Sequence, residues 1–392
     1  MADKNPSRLN TSLKPTKKAH TTRAADAAPP RSARGTRSPH PPAKKVVPPI
    51  VIHDWATKHK SIKVEYATER GVSIVSKSED VLSGRTGAAL RGQVQLVFSS
   101  PPFPLNRKKK YGNLEGSNFK KWLRGYAKKL KELLTEDGSI VIEMGNAWVP
   151  QKPIMSTLAI ETLLEFKRAA KLHLIQEFIW FNPARLPTPA QWVTVNRMRV
   201  KDAFTRLWWM SPTEYPKADN RRVLVPYSGS MKTLLKNQRY NSGTRPSEHV
   251  ISPTSFLTDN GGAIPPNVLM LESEEETAPS NVLVGANTNG VDGYHKFCKS
   301  RGLKPHPARM PIGLAKFFIN LCTEAGDLVL DPFGGSNTTG AAAEELMRRW
   351  ITVEINEQYA AAGRGRFPHL VAQVPPIPDE LKNAALPVTA EA

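Results

Sequence analysis

Apolar residues recur along this chain in two rhythms. Val72 to Val75, Val94 to Phe98, Ser139 to Glu143, Leu174 to Phe181, Leu328 to Leu330 and Trp350 to Val353 are short, mostly apolar runs with the length of buried strands. Between them the spacing turns helical. Over Phe119 to Leu134, the residues Trp122, Leu123, Tyr126, Leu130, Leu133 and Leu134 fall at helical intervals among many lysines, and further helices are predicted over Leu158 to Leu172, Pro311 to Thr323 and Thr338 to Arg349. Ser78 to Gly92 reads as a helix and loop leading into the strand at Val94, and Asp137-Gly138 as the turn that starts the strand at Ser139. Strands that alternate with helices predict an α/β fold built on a mostly parallel sheet.

The alternation breaks between about Asn182 and Ser300. That stretch is rich in Pro, Gly, Asn and Ser and carries basic clusters at Arg197, Arg199 and Lys201 and at Arg221 and Arg222. We read five segments: a basic arm over 1–50, one half of an α/β domain over 51–181, an irregular insert over 182–300, the second half over 301–370 and a Pro-rich tail over 371–392. Residues 1–50 hold eleven Lys or Arg against two Asp and offer little apolar periodicity, so burial cannot offset their ordering entropy. The arm is expected to be disordered. It reads equally as an attractor of phosphates and as a solvated tail.

Charge sharpens this picture. The chain of 392 residues carries a formal net charge of +20, which favours a polyanionic partner, nucleic acid being the commonest. Two cysteines, Cys298 and Cys322, are too few for a disulfide framework or a thiolate metal site, which suits a reducing compartment. No run of roughly 18 apolar residues is present to span a bilayer, and the N-terminus lacks the apolar block of a secretory signal. A cytoplasmic protein is expected, with no membrane and no metal, because His295 and His306 lack ligand spacing. The oligomeric state stays open, with a monomer as the working expectation.

Two loops at predicted strand ends carry the chemistry, and in open α/β sheets that is where ligands bind. The later one is Asp331-Pro332-Phe333-Gly334-Gly335-Ser336-Asn337-Thr338-Thr339-Gly340, a glycine-rich turn from strand to helix. Its backbone N–H groups and the positive helix end can approach a polar ligand closely. Glu354 lies about 20 positions beyond, at the end of the next strand, where an acid accepts hydrogen bonds from ribose hydroxyls. The loop lacks the G-x-G-x-x-G register and the G-x-x-x-x-G-K-[ST] phosphate loop, which disfavours a nicotinamide or a nucleoside triphosphate.

The earlier loop is Ser100-Pro101-Pro102-Phe103. The prolines fix the backbone, and the Pro101 carbonyl and Ser100 hydroxyl offer two acceptors for the two protons of an exocyclic amine. Phe103 offers a face on which an extruded base can stack. Asn106, Arg107, Lys108, Lys109 and Lys110 follow as a basic loop suited to phosphates. Each loop alone is also compatible with an ordinary connection, one a tight glycine turn and the other a Pro-Pro turn with a core Phe.

Together with Trp180-Phe181-Asn182-Pro183, Trp208-Trp209, Thr244-Arg245-Pro246-Ser247, Asn260-Gly261-Gly262 and His306-Pro307-Ala308-Arg309, these motifs carry a resemblance that runs from about Ser73 to Phe367. The chain resembles the amino-group DNA methyltransferases of the permuted class, whose catalytic motif precedes the cofactor motif, and more closely those of the PvuII type that act on cytosine N4. The resemblance implies a Rossmann-like sheet that binds S-adenosylmethionine, with a target-recognition region inserted over 182–300. It implies Ser100, Pro101, Pro102 and Phe103 as the catalytic loop. It assigns Asp331, Phe333, Gly334, Gly335, Ser336, Asn337, Thr338, Glu354, His306 and Pro307 to the cofactor, and Arg107, Lys108, Lys109, Arg197, Arg199 and Arg245 to double-stranded DNA. It further implies base flipping, a role beside a partner endonuclease, and a CAGCTG-type palindrome as the target.

Two departures stand out. Many relatives have Gly where Asn337 stands, although Asn tolerates positive φ. Relatives also carry Gly-Asp where Ser76-Lys77 stand, so the contact at the adenine end of the cofactor is unassigned. By the residues alone, adenine N6 presents the same donors as cytosine N4, and the resemblance favours cytosine. Cytosine C5 chemistry requires a thiolate nucleophile, for which Cys298, between charged neighbours, and Cys322, inside an apolar helix, are poor candidates. A DNA-binding protein without catalysis fits the charge but leaves Ser100 and Glu354 without a purpose.

Overall fold

The computed structural model describes residues 48–59, 61–103, 116–270 and 293–373. The basic arm up to residue 47, the loop with Arg107, Lys108 and Lys109, and the tail from 374 lie outside the described residues. In chain order the strands are β1 (Lys63–Ala67), β2 (Gly71–Val75), β3 (Val94–Ser99) and β4 (Leu134–Gly145), then the two-residue pair β5 (Ala147–Trp148) and β6 (Met155–Ser156). They continue with β7 (His173–Phe181), β8 (Phe204–Ser211), the pair β9 (Gly243–Thr244) and β10 (Val250–Ile251), β11 (Val268–Met270), β12 (Leu328–Asp331) and β13 (Arg349–Glu354).

Nine of these form one sheet in the order β1-β2-β13-β12-β3-β4-β8-β7-β11. From β2 to β4 all neighbours are parallel. β8 runs antiparallel between β4 and β7, and β1 closes the other edge antiparallel to β2. Side chains alternate between faces as the pleat requires. Val97, Ile140, Ile142, Leu328, Leu330, Ile351 and Val353 pack under the helices Gly116–Leu133 and Leu158–Ala170. Leu96, Phe98, Val141, Val329 and Trp350 pack on the opposite face with the helices Ile312–Cys322 and Thr338–Glu345. Both faces are covered, which is why these strands read as nearly unbroken apolar runs.

The chain leaves β3 toward one face and β12 toward the other, although the two strands are neighbours. That divergence is a topological switch point, and it opens a crevice beyond their carboxyl ends.

Beyond β1 and β11, which the sequence reading did not include, three elements differ from it. β4 begins at Leu134, before the Asp137-Gly138 turn: Val94 pairs with Leu134 and Leu96 already pairs with Ser139, so the turn is absorbed as a bulge inside one strand. The helix from Thr338 stops at Glu345 instead of reaching Arg349. Met347, at φ 64°, turns the chain, and Arg348 N–H returns to the Ala343 carbonyl at 2.8 Å while Met347 N–H returns to that of Glu344 at 3.0 Å, a Schellman closure without glycine. Third, the stretch read as an irregular insert contributes β8, whose Leu207 and Trp209 enter one core layer and Trp208 and Met210 the other. A strand buried on both faces shows no polar alternation to reveal it.

Trp350 anchors the cofactor side of the sheet. Its indole is fully buried, stacks on Phe367 at 5.3 Å and donates from Nε1 to Glu344 Oε2 at 2.6 Å. It pairs across from Gly71, where a Cβ would come within 2.2 Å of the ring. Trp350→Ala is expected to cost about 3–5 kcal/mol of stability through cavity formation, measured by urea unfolding.

Candidate active site

The two loops singled out in the sequence meet at the switch point. Ser99, the last residue of β3, donates from Oγ to Asp331 Oδ1 at 2.6 Å, joining positions 232 apart in sequence. Phe333 N–H donates to the same oxygen at 3.0 Å, and Thr339 Oγ1 donates to Oδ2 at 2.7 Å. Burial raises the Asp331 carboxyl above its ordinary range, and these three donors pull the other way. Asp331, expected at the cofactor, lines the cleft, and with both oxygens engaged by protein donors it also shapes the loop.

The loop itself is fixed by backbone hydrogen bonds. Gly334 N–H donates to the Val353 carbonyl and Gly335 N–H to Glu354 Oε2, both at 2.8 Å. Glu354 Oε1 accepts from Asn356 N–H at 2.8 Å. Burial raises the Glu354 carboxyl, opposed by these amides. Arg366 donates to the carbonyl and hydroxyl of Ser336 at 2.7 and 2.9 Å, while Ser78 Oγ donates to the Pro332 carbonyl.

Asn337 corrects the sequence reading. It has φ 57° as expected, but its side chain turns inward, where Oδ1 caps the helix at Gly340 N–H and Nδ2 donates to the buried Tyr66 hydroxyl at 2.7 Å. It does not line the cleft, and neither does Pro307. His306 does, with its ring against Tyr359 at 4.8 Å and near Gly335.

The cleft encloses about 940 Å³. Its walls follow the order of the strand ends: Lys77, Ser78 and Glu79 after β2, Glu354 on β13, Asp331 and Phe333 to Ser336 after β12, Ser100 to Phe103 after β3, Glu143 on β4, then Trp180, Asn182 and Arg185 at the end of β7. Thr338 also lines it. All four residues of the Ser100 loop are therefore brought against the glycine loop. The Phe103 ring packs against Gly145, where a Cβ would come within 2.8 Å of it, so only glycine admits it there.

Several lining residues escaped the sequence reading. Glu143 is fully buried beneath Ser100; burial raises its carboxyl, with the Ser100 hydroxyl and the Arg185 charge opposing. An acid closing an otherwise apolar strand was the available signal. Trp122 and Tyr126, read only as helix packing, flank Phe333 at 5.3 and 5.2 Å. Partial burial opposes the Glu79 charge, but Tyr126, a backbone amide and Trp122 donate to it and hold it below the ordinary carboxylate range.

The expected DNA contacts sit elsewhere. Arg199 stacks its guanidinium on Trp148 at 3.1 Å, Arg197 is exposed at φ 51°, and Arg245 lies beside the β9–β10 pair over Tyr240. None lines the cleft. Cys298 and Cys322 are both buried, and burial pushes the Cys322 thiol up to about 12, the reverse of a nucleophile. No helix of the described residues is long and apolar enough to cross a membrane.

Comparison with known proteins adds an independent line. A family model described as DNA methylase, covering N6 and N4 methyltransferases, matches residues 94–364. Type II methyltransferase M.PvuII of Proteus hauseri is 41% identical over 307 residues, covering 78% of this chain and 86% of its own length. DNA adenine methyltransferase YhdJ of Escherichia coli (strain K12) is 46% identical over 159 residues, covering 37% of this chain and 51% of its own. The solved structure of PvuII DNA methyltransferase (cytosine-N4-specific) superposes with a TM-score of 0.59 at 35% identity, covering 78% of this chain and 89% of that one.

Asp331→Asn places an amide N–H₂ where three protein donors converge. It is expected to lower stability by about 1–3 kcal/mol in urea unfolding, because one acceptor oxygen is lost and the Thr339 hydroxyl must leave its bond or turn to accept.

Proposed function

The chain belongs to the N6/N4 DNA methylase family, and from that premise we infer that it transfers a methyl group to the N4 amine of cytosine in duplex DNA. The observation that carries this reading is the abutment of Ser100-Pro101-Pro102-Phe103 on the Gly334 loop through the Ser99–Asp331 bond. The cytosine-N4-specific relative shares its identity over most of both chains, whereas the adenine relative matches about half its own length, which supports cytosine over adenine.

S-adenosylmethionine supplies the electrophilic methyl group when bound. The cleft fits such a donor: amides fix the Phe333 to Ser336 loop, and the half-buried Glu354 carboxylate stands at the end of β13 with lone pairs beyond those its two amide partners use. Glu354 accepts ribose hydroxyls, and Thr338 and Ser336 line the loop side. The Ser100 hydroxyl turns its proton toward Glu143, which leaves its oxygen lone pairs free to accept from the cytosine amine. The Pro101 carbonyl accepts the second amine proton. With both protons held, the nitrogen lone pair would be aimed at the methyl group. The N–C bond would form as the S–C bond breaks to leave S-adenosylhomocysteine, one amine proton would then leave by way of its acceptor, and orientation would supply most of the catalysis. Phe103 stacks on the base taken out of the duplex. No covalent intermediate is needed.

Residues 182–300, with Arg197, Arg199 and Arg245, form the target-recognition region in this reading, and the segments 51–181 and 301–370 are the catalytic and cofactor halves. By its likeness to a type II methyltransferase, we read the enzyme as the modification component of a restriction–modification system that acts on cellular DNA in the cytoplasm.

Incubation with labelled S-adenosylmethionine and mixed-sequence DNA, followed by digestion to nucleosides, is expected to place label in N4-methylcytosine. Label in N6-methyladenine would transfer the assignment to adenine, and unlabelled DNA would end the methyltransferase reading. Ser100→Ala is expected to reduce single-turnover methylation by about 10²-fold or more, the scale of a lost transition-state contact, with S-adenosylhomocysteine affinity unchanged in calorimetry. Glu354 accepts ribose hydroxyls as a carboxylate, and its raised pKa means that protonation sets in above the ordinary 4.5. S-adenosylhomocysteine affinity should therefore fall as pH drops through that raised value, and Glu354→Gln should bind weakly with a flatter pH profile.

A further inference from the structure

The loop that joins β7 to β8 leaves and returns at one point of the cleft. Asn182 N–H donates to the Ala203 carbonyl at 2.7 Å, and Arg185 Nη1 donates to that of Phe204 at 3.0 Å. Lys201 Nζ reaches the Pro183 carbonyl at 2.6 Å, and the Arg199–Trp148 stack ties the loop to the β5–β6 pair. The loop is thus braced at its base and along its length.

Its outward side chains are of the wrong kind for water. Leu186 is 75% exposed, Val195 67%, Met198 58% and Val200 86%. A single exposed apolar residue is ordinary, but four on one braced loop beside a cleft mark a surface that meets a partner. Arg197, Arg199 and Lys201 lie among them, so that partner is an anion with apolar surfaces. A nucleic-acid duplex has both, in its phosphates and its base stack.

Building on the methyltransferase reading, we propose that Leu186 is a wedge that enters the base stack where the target cytosine leaves it. Leu186 follows Arg185, which lines the cleft, and precedes Pro187 and Pro189, which stiffen the backbone that carries it. Of the four apolar side chains it is the one adjacent in sequence to the base pocket. Apolar wedges, leucine among them, are used to part base steps, and removing a base costs unstacking energy that such a wedge offsets. The exposed Arg197 further along the loop holds a flanking phosphate while Leu186 fills the gap. Being exposed, Leu186 is dispensable to the fold and can be replaced without a core defect.

The test separates opening of the duplex from chemistry. Leu186→Ala is assayed on a duplex that the wild-type enzyme methylates, and on the same duplex with an abasic site opposite the target cytosine, where pairing is already lost. We expect kcat/KM to fall by about tenfold or more on the paired duplex and to return to within about threefold of wild type on the abasic one, since a few kcal/mol of unstacking and unpairing is the step affected. The fluorescence rise of pyrrolocytosine at the target position on binding should fall in parallel. S-adenosylhomocysteine affinity should not change. Equal loss on both substrates, or no loss on the paired duplex, overturns the wedge while leaving the methyltransferase reading intact. A wild-type enzyme that methylates no DNA removes both.

Discussion

The Ser99–Asp331 hydrogen bond is the constraint on which the site depends. It joins the ends of the two central strands at 2.6 Å, and through Phe333 N–H and Thr339 Oγ1 the same carboxylate sets the turn that opens the next helix. Hydrogen bonds to a charged acceptor contribute about 1.5–3 kcal/mol each, and these three oppose the burial that raises the Asp331 carboxyl. Because Asp331 belongs to β12 and Ser99 to β3, any shift of one strand end displaces both loops together. The Ser100 loop and the Gly334 loop are thus kept in register by one buried group.

The sheet explains why that register has value. Helices on both faces make the strands rigid, and the divergence of the chain after β3 and β12 leaves their ends uncovered. β8 then contributes something a purely parallel sheet lacks. Running antiparallel between β4 and β7, it brings the end of the β7–β8 loop back beside its start. The loop proposed to read DNA is anchored at the wall of the cleft, so in that reading recognition outside and chemistry inside share a foundation.

The central strands, the main helices and both chemical loops were legible because each writes a local pattern, an apolar run or a rigid turn. The positive φ of Asn337 was legible too, but its side-chain direction was not, since the contact with Tyr66 depends on a strand 271 residues away. β8 was hidden because burial on both faces erases alternation, and the early end of the helix at Glu345 because Met347 adopts a turn usually marked by glycine. Glu143 and Trp122 carried the weakest local signals. An acid at a strand end and an aromatic on a helix acquire meaning only when the sheet order sets them around one cleft.

Three of those acids share a physical state. Asp331, Glu143 and Glu354 each have a raised carboxyl pKa with burial as the largest cause, and in each the opposing influence is a donor from the protein. A raised pKa in an acid means that its charge opposes folding at neutral pH, so what these groups contribute to the fold is their hydrogen bonds and not their charge. Their donors are instead fixed amides and hydroxyls, which makes the carboxylates acceptors of fixed direction rather than of high basicity. Transfer to an exocyclic amine needs that property more than it needs a strong base, because the neutral nitrogen is already a nucleophile once its protons are held and its lone pair is aimed. The fold carries a desolvation cost at three points, and what it obtains there is geometry.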